Sequence, residues 1–363
     1  MIARRVAALT LLAALAPGVA GCGDPGGQGA ARWVGEAEAS ADPPAQRTPA
    51  PAPSTPTGPL TLAFGGDVHF TDRTARLLRD PDTAFGPAAA VLRAADLTVV
   101  NLETAVTERG TREPKTYTFR TPPTAFDALR AAGIDAASLA NNHALDYGRV
   151  GLADTLDNAD RAQFKVFGAG RNADAAYAPL IVPVRGVRVG LVGFSQVRDL
   201  AEPWAPTADR SGIAMAWDVE RSVAAVAAAR RDADLVIAFN HWGQEGNACP
   251  TADQKRFAAQ VAGAGADVII GAHAHVLQGD GWLGQTYVAY GLGNFLWYST
   301  SHSTDTGILK LTIEGRRVVS STLVPAVVST AGQPVPLTGA AATRAAERFA
   351  GLRRCTGLAD RSS

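Results

Sequence analysis

The chain has 363 residues, of which 47% are apolar, and its 34 basic and 34 acidic side chains give a formal net charge of zero. Outside Arg4-Arg5 it has no long basic run, so the composition argues against a nucleic-acid partner. This length and apolar content fit one layered α/β catalytic domain, which we place at residues 59–340.

The first 22 residues predict a bacterial lipoprotein signal peptide. Two arginines give it a positive start, residues 6–16 are apolar but too short to span a bilayer, and small residues lead to Cys22. We expect the Cys22 thiol to be lipidated, which predicts an extracytoplasmic protein anchored to the cell membrane. In the alternative, an ordinary secretory signal, the cysteine is incidental. Both alternatives predict export.

Residues 23–58 are dense in Pro, Ala and Gly and almost free of large apolar side chains. Such a segment buries too little surface to offset its ordering entropy, so it predicts a disordered tether between membrane and domain. In an oxidising compartment, the two remaining cysteines, Cys249 and Cys355, either form a disulfide or stay free thiols. The sequence leaves both alternatives open.

From residue 60 onward, apolar runs that predict strands alternate with Ala-rich stretches that predict helices. The runs are continuous, which favours partly parallel strands covered on both faces. The strands are predicted at residues 60–64, 97–100, 136–139, 187–194, 235–239, 268–270 and 287–290, and an antiparallel pair at 307–313 and 317–324. The helices are predicted at residues 84–95, 121–133, 149–162, 219–232 and 251–263, and a C-terminal helix with a loose tail at 341–363.

Residues with metal-binding chemistry follow the first two predicted strands. Asp67 and His69 are two residues apart, and in extended backbone this spacing points both side chains the same way, toward one cation. The Asp67–His69 pair alone is weak evidence for a metal site, because polar turn residues often follow the end of a strand. Glu103 follows the second strand and offers a carboxylate that could lie between two cations.

Four more histidines follow later strands. Asn142 and His143 come after the third strand, where the amide oxygen can ligate and the imidazole can transfer protons. His241 follows another strand, and His273 and His275 repeat the two-residue spacing after a glycine. A lone histidine on an apolar segment is more often a core residue, but several at strand ends predict one shared site.

In this order the motifs resemble those of the calcineurin-like metallophosphoesterase superfamily. More narrowly, residues 101–103, 140–148, 241–245, 271–275 and 291–295 resemble the CapA family of poly-γ-glutamate capsule synthesis proteins. The resemblance covers roughly residues 60–324. It implies a four-layer α/β/β/α sandwich, in which two mixed sheets lie face to face with helices outside.

The resemblance also implies two divalent metal ions, of Mn, Fe or Zn. The implied ligands are Asp67, His69 and His275 for one ion and Asn142, His241 and His273 for the other, with Glu103 between them and His143 as proton donor. The superfamily has an aspartate in a Gly-Asp motif where this chain has Asn101-Leu102-Glu103. Glu103 therefore either bridges both ions or binds one of them.

Other residues are candidates for supporting roles. Asp146 either orients His143 or caps the following helix. Arg120 is an anion anchor or a surface arginine, and Glu245 faces substrate or water. Asn294 and Trp297 either line the pocket rim or, as we favour, belong to aromatic packing under the site. The remaining candidates are Asn141 as a substrate contact and Gln278 as a hydrogen-bonding group, whereas His302 is left out of the site.

Two functions remain open at this stage. The first is an exported metal-dependent hydrolase acting on a phosphoester, or on an amide of an anionic cell-envelope polymer. The second is a non-catalytic, metal-containing subunit that binds such a polymer and assembles with membrane proteins of capsule synthesis. The complete set of ligands favours the first function, and the altered bridge favours the second.

Overall fold

The structure is a computed structural model, and it describes residues 58–199 and 201–362. The predicted signal peptide with Cys22, and the predicted tether up to residue 57, lie outside the described residues. Among the helices that are described, none has both the length and the apolarity that crossing a bilayer requires.

Strands and helices alternate along most of the chain. The strands are β1 (Leu60–Val68), β2 (Leu97–Leu102), β3 (Ala105–Val106), β4 (Arg120–Thr121), β5 (Ala136–Ser138), β6 (Lys165–Phe167), β7 (Ala169–Gly170), β8 (Leu180–Val184), β9 (Val187–Ser195), β10 (Gly212–Ile213), β11 (Leu235–His241), β12 (Val268–Ala272), β13 (Leu277–Leu283), β14 (Thr286–Leu292), β15 (Asn294–Leu296), β16 (Asp305–Glu314), β17 (Arg317–Val328) and β18 (Pro334–Pro336). The helices are α1 (Ala88–Leu92), α2 (Thr124–Ala131), α3 (Gly148–Arg161), α4 (Ala173–Tyr177), α5 (Ala201–Trp204), α6 (Val219–Asp232), α7 (Ala252–Gly263) and α8 (Gly339–Gly351). Short 3-10 helices cover Asp72–Arg79, Pro81–Thr83 and Leu352–Cys355.

Most strands belong to two mixed sheets. The first has the order β18-β17-β16-β1-β2-β5-β6, with β15 also paired to β1. In this sheet β1, β2, β5 and β6 are parallel, and β16, β17 and β18 add antiparallel pairs. The second has the order β13-β14-β12-β11-β9-β8, with antiparallel pairs at both edges. The prediction of partly parallel strands is confirmed.

Three apolar cores define the layers. Phe64 of the first sheet and Leu191 of the second belong to a core shared by the inner faces of both sheets. Phe126 of α2 packs in a second core with residues of the first sheet, and Phe257 of α7 packs in a third core with residues of the second sheet. The fold is therefore the four-layer α/β/β/α sandwich.

The helices follow the sequence pattern where capping signals are strong. Helix α6 has the predicted bounds, and α7 begins after Thr251, whose side chain forms a capping box with Gln254. The predicted helix at 84–95 is only Ala88–Leu92, because Gly86, with φ of 51°, and Pro87 delay its start.

Strand β1 is longer than predicted, and this places Asp67 inside the strand rather than after it. Gly66 permits the extension, because a Cβ at this position would lie 1.9 Å from the carbonyl oxygen of Gly293. The close approach of these two backbones allows the Asp67 N–H to donate to the same oxygen at 3.0 Å. The two consecutive glycines therefore help to set the position of the Asp67 carboxylate.

The C-terminal segment is bound to the domain, so the prediction of a loose tail is wrong for most of it. Cys249 and Cys355 form a disulfide, the first of the two alternatives left open by the sequence. Beyond it, Trp282 and Ala359 exchange two backbone hydrogen bonds, of 3.0 and 2.9 Å. The edge of β13 thus pairs with a segment that has no strand pattern of its own.

Removing the disulfide is expected to lower the free energy of unfolding by about 2–5 kcal/mol, because it closes a long loop in the unfolded chain. The two cysteines are 106 residues apart. Urea denaturation of the Cys249→Ser, Cys355→Ser double variant should give a midpoint equal to that of reduced wild type. Reductant should not shift the variant further. Equal midpoints for oxidised wild type and the variant would contradict the prediction.

Candidate metal centre

The candidate centre lies at the carboxyl ends of parallel strands from both sheets. Asp67 is the second-last residue of β1, and Glu103 directly follows β2. In the second sheet, His241 is the last residue of β11, and His273 and His275 follow β12. Parallel strands bring these ends to one edge, where ligands of α/β proteins usually bind.

The ligand atoms form two overlapping groups. Asp67, Glu103 and His241 make one group, and Glu103, His273 and His275 make the other. Within each group, one ligand atom per residue lies within 4.8 Å of the others. Glu103 belongs to both groups, which is the position that a carboxylate between two cations requires.

The Glu103 carboxylate is the strongest sign that this cluster fits a cation. It is fully buried, and neither of its oxygens has a hydrogen-bond partner. Nδ1 of His273 and Nδ1 of His275 are also buried without partners. A buried charge without compensation costs several kcal/mol, so this donor set is unfavourable alone and favourable around divalent cations.

Burial also sets the protonation of these groups. It raises the pKa of Glu103 well above its ordinary value, and the nearby Asp67 carboxylate raises it further. Burial lowers the pKa of His69, His241 and His273 well below the ordinary value, and charge on neighbouring histidines adds to the effect. Neutral imidazoles are the form that binds metals.

The backbone at His273 and His275 differs from the extended form that their two-residue spacing suggested. Both residues adopt left-handed conformations, with φ of 86° and 55°. This turn directs the His273 N–H to Asp67 Oδ2 at 3.1 Å, while His275 Nδ1 lies 3.3 Å from the same oxygen. Non-glycine residues rarely adopt this region, and such strain is characteristic of functional sites.

Asn101 connects the two sheets beneath the ligands, a role that the sequence did not reveal. Its Nδ2 donates to Asp67 Oδ1 at 2.8 Å and lies 3.1 Å from His241 Nδ1. Its Oδ1 accepts a hydrogen bond of 3.0 Å from Asn141. One amide thus orients a carboxylate and an imidazole. An asparagine within an apolar strand was the available signal.

Asn141 and Asn142 have different surroundings. Asn141 uses both amide protons on Asn101 and on the carbonyl of Leu102, and its oxygen accepts from the His143 backbone. It therefore belongs to the buried frame and does not face the cavity. Asn142 Oδ1 lies 2.7 Å from His241 Nε2, so these two potential ligand atoms are close together.

His143 is held by Asp146, its orienting partner in one of the two alternatives considered above. Its Nδ1 lies 2.5 Å from Asp146 Oδ2, and its Nε2 lies 3.7 Å from Glu103 Oε1. Burial raises the pKa of Asp146 to about 7, and the Lys115 ammonium, 2.7 Å from Oδ1, opposes this. Tyr147, and not Asp146, stands at the N-cap of α3.

His69 lies in an aromatic wall, outside the two groups of ligand atoms defined above. Its ring stacks on Phe119 with centroids 4.5 Å apart and meets Trp297 edge-on at 4.3 Å. Both ring nitrogens are buried without hydrogen-bond partners. Its assignment as a ligand therefore stays a prediction.

A cavity of about 440 Å³ opens over the centre. Its lining includes Lys115, Tyr117, Asn142, His143, Asp199 and Glu245. Lys115 was missed at the sequence level, although it is one of only four lysines in an arginine-rich chain. Glu245 is at the rim as a half-exposed side chain, 3.3 Å from His302. His302, which was left out of the site, therefore reaches its rim.

Two other candidates lie elsewhere. The Arg120 guanidinium is 4.6 Å from the ring centroid of Tyr147 and lines a separate cavity. Gln278 accepts from Gln254 and donates to the Asn247 carbonyl, both at 2.8 Å, so it supports the loop after β11.

Asn294 is buried in β15 beside Asp67, and its Oδ1 has no hydrogen-bond partner.

Comparison with known proteins places these features in a family. The chain is 30% identical over 242 residues to the PGA biosynthesis protein CapA of Bacillus subtilis. This alignment covers 65% of this chain and 63% of that protein. It is 28% identical over 320 residues to the capsule biosynthesis protein CapA of Bacillus anthracis, covering 86% of this chain and 75% of that protein.

Among solved structures, a novel phosphatase of Mycoplasma pneumoniae matches with a TM-score of 0.46 at 15% identity, over 74% of this chain and 94% of that one. This similarity is too distant to bear on function. The sequence profile described as bacterial capsule synthesis protein PGA_cap matches residues 61–299. Because that match covers more than half of the chain, the protein belongs to the bacterial capsule synthesis family PGA_cap.

Proposed function

We propose that this protein is an exported, lipid-anchored, metal-dependent hydrolase with two divalent cations. Its proposed substrate is a phosphoester, or an amide of an anionic cell-envelope polymer such as poly-γ-glutamate. The observation that carries the proposal is the buried Glu103 carboxylate, which has no hydrogen-bond partner and belongs to both groups of ligand atoms. The name of the Bacillus subtilis relative supports the choice of polymer.

In this proposal the cations are held by Asp67, Glu103, His241, His273 and His275, with Asn142 beside them. When bound, divalent cations polarise the scissile bond and lower the pKa of water. Asn101 holds the Asp67 carboxylate and the His241 imidazole in position, so little reorganisation of these two ligands accompanies binding.

His143 is the proposed proton-transfer group. Asp146 Oδ2 lies 2.5 Å from Nδ1 and orients the ring, so that Nε2 is directed at Glu103 and the cavity. Nε2 can therefore take a proton or deliver one to the leaving group, in the manner of a general acid or base. The Lys115 ammonium donates to Asp146 and to the backbone carbonyl of Asn142. These bonds fix the His143 imidazole, through Asp146, relative to the Asn142 side chain.

Export is supported by the disulfide as well as by the signal-like N-terminus, because disulfides persist in oxidising compartments. The lining of the cavity over the centre includes one cationic side chain, Lys115, and two anionic ones, Asp199 and Glu245. The proposed membrane partners of capsule synthesis would meet the exported protein on the outer side of the cell membrane.

Removal of metal tests the proposal. Purified protein should contain metal by elemental analysis and should hydrolyse bis(p-nitrophenyl) phosphate or poly-γ-glutamate. Chelation should abolish turnover, and Mn²⁺, Fe²⁺ or Zn²⁺ should restore it. Bound metal without turnover of either substrate would instead favour the polymer-binding assembly role. Protein that binds none of these metals would overturn both.

A further inference from the structure

A second cavity lies beside the metal centre, between α8 and the strands β16 and β17. Its volume of about 300 Å³ is at the lower end of the range for small-molecule pockets, about 300–1,000 Å³. Its floor is formed by the buried side chains of Leu323, Ala326 and Phe349.

This apolar pocket adjoins the cavity over the metal centre. Glu245 lines the metal-centre cavity and His302 lines the apolar pocket, and the two side chains are 3.3 Å apart. The His302 ring also stacks on the His275 ring, with centroids separated by 5.6 Å. One ligand could therefore occupy both spaces across this pair of side chains.

The walls of the apolar pocket are tied together from distant parts of the chain. Ala248 and Leu352 both line it, and they stand one and three residues before the disulfide partners Cys249 and Cys355. Gln278 fixes the same wall by donating to the carbonyl of Asn247. A wall held in this way loses little freedom when a ligand binds, which favours affinity.

The charged groups at the mouth are already paired. Arg348 lies 3.1 Å from Asp305, and His302 lies beside Glu245. The side chains that line the pocket floor are apolar. An uncharged apolar group would gain from burial here, whereas a charged group would lose hydration without a dedicated partner.

We infer that the apolar pocket is an accessory subsite that binds an uncharged aryl or acyl group of the substrate. The inference rests on the proposed function, because the anionic, reacting part of the same molecule would lie at the metal centre. Among the proposed substrates, it favours esters or amides with one anionic end and one apolar substituent over unsubstituted poly-γ-glutamate.

Binding of N-phenyl-1-naphthylamine, an uncharged aromatic fluorophore, tests the subsite without requiring turnover. The oxidised wild-type protein should show saturable binding with one site per chain. Ala345→Leu narrows the pocket from α8 and should weaken binding at least tenfold. Ala346→Leu changes the exposed neighbour on the same helix and should bind like wild type. Ala326→Val, on β17, narrows the pocket independently if Ala345→Leu fails to fold.

A kinetic comparison tests the link to the metal centre. Wild type should have a lower KM for phenyl p-nitrophenyl phosphate than for methyl p-nitrophenyl phosphate, and Ala345→Leu should remove most of that difference at similar kcat. Absence of saturable fluorophore binding, or equal binding by both leucine variants, would overturn the subsite. Pocket-dependent fluorophore binding without hydrolysis of any ester or of poly-γ-glutamate would support the apolar binding site and contradict the proposed function.

Discussion

Replacing His143 by alanine is expected to lower kcat by about 10²–10⁴-fold, which is the usual contribution of a positioned acid–base group. The reason is geometric, since Nε2 faces Glu103 and the cavity while Asp146 holds Nδ1. His143 is outside both groups of ligand atoms, so metal content should stay at the wild-type level. Steady-state kinetics and elemental analysis of the same preparation measure the two effects.

Unchanged metal content and a melting temperature close to that of wild type are the controls for this variant, because they separate lost chemistry from lost structure. The imidazole also stacks on Phe119 at 4.2 Å, so a small decrease in stability is expected. Retention of full kcat by His143→Ala would exclude His143 as the proton-transfer group. Loss of metal together with activity would instead make it a ligand or a support of one.

Replacing Glu103 by glutamine is expected to remove at least one equivalent of bound metal and most of the turnover. Glu103 belongs to both groups of ligand atoms, and a neutral amide gives less compensation to two dications. Because metal binds the folded protein, added metal should raise the melting temperature of wild type. It should change the melting temperature of the variant little. In chelator the variant should melt no lower than wild type, because it lacks the buried unpaired carboxylate.

Glu108→Gln is the matched control for this experiment. It makes the same chemical change at an exposed position five residues along the chain, beside a different cavity. This control should keep wild-type metal content, turnover and melting behaviour. If Glu103→Gln retains two metals per chain and shows the same metal-dependent stabilisation as the control, the bridging position of Glu103 is wrong.

Much of the candidate centre could be predicted because strand ends are visible in the sequence. Asp67, Glu103 and His241 each stand at or next to the end of an apolar run, and the structure brings these ends together. The helices with clear caps, such as α7 after Thr251, could be predicted for a similar local reason. Local patterns report the element to which a residue belongs and where that element ends.

Other features depend on contacts between distant segments. β8 and β13 were missed as strands, and each is an edge strand whose partner strand is supplied by the fold. Arg120 stands near the motifs in sequence, but its side chain lies over Tyr147. Lys115 lies in a loop whose sequence has no hydrophobic periodicity or motif, and its ion pair with Asp146 connects it to the candidate centre.

The sequence by itself determined the main alternation of strands and helices, the motifs that identify the family and most of the polar residues that end the central strands. Only the tertiary structure decided which of those residues lie together, because Glu103 joins the two groups of potential ligand atoms where the ends of two separate sheets meet. It also decided the left-handed turns at His273 and His275 and the disulfide between Cys249 and Cys355. Side-chain direction after a strand depends on backbone angles and packing partners, which residue spacing does not specify.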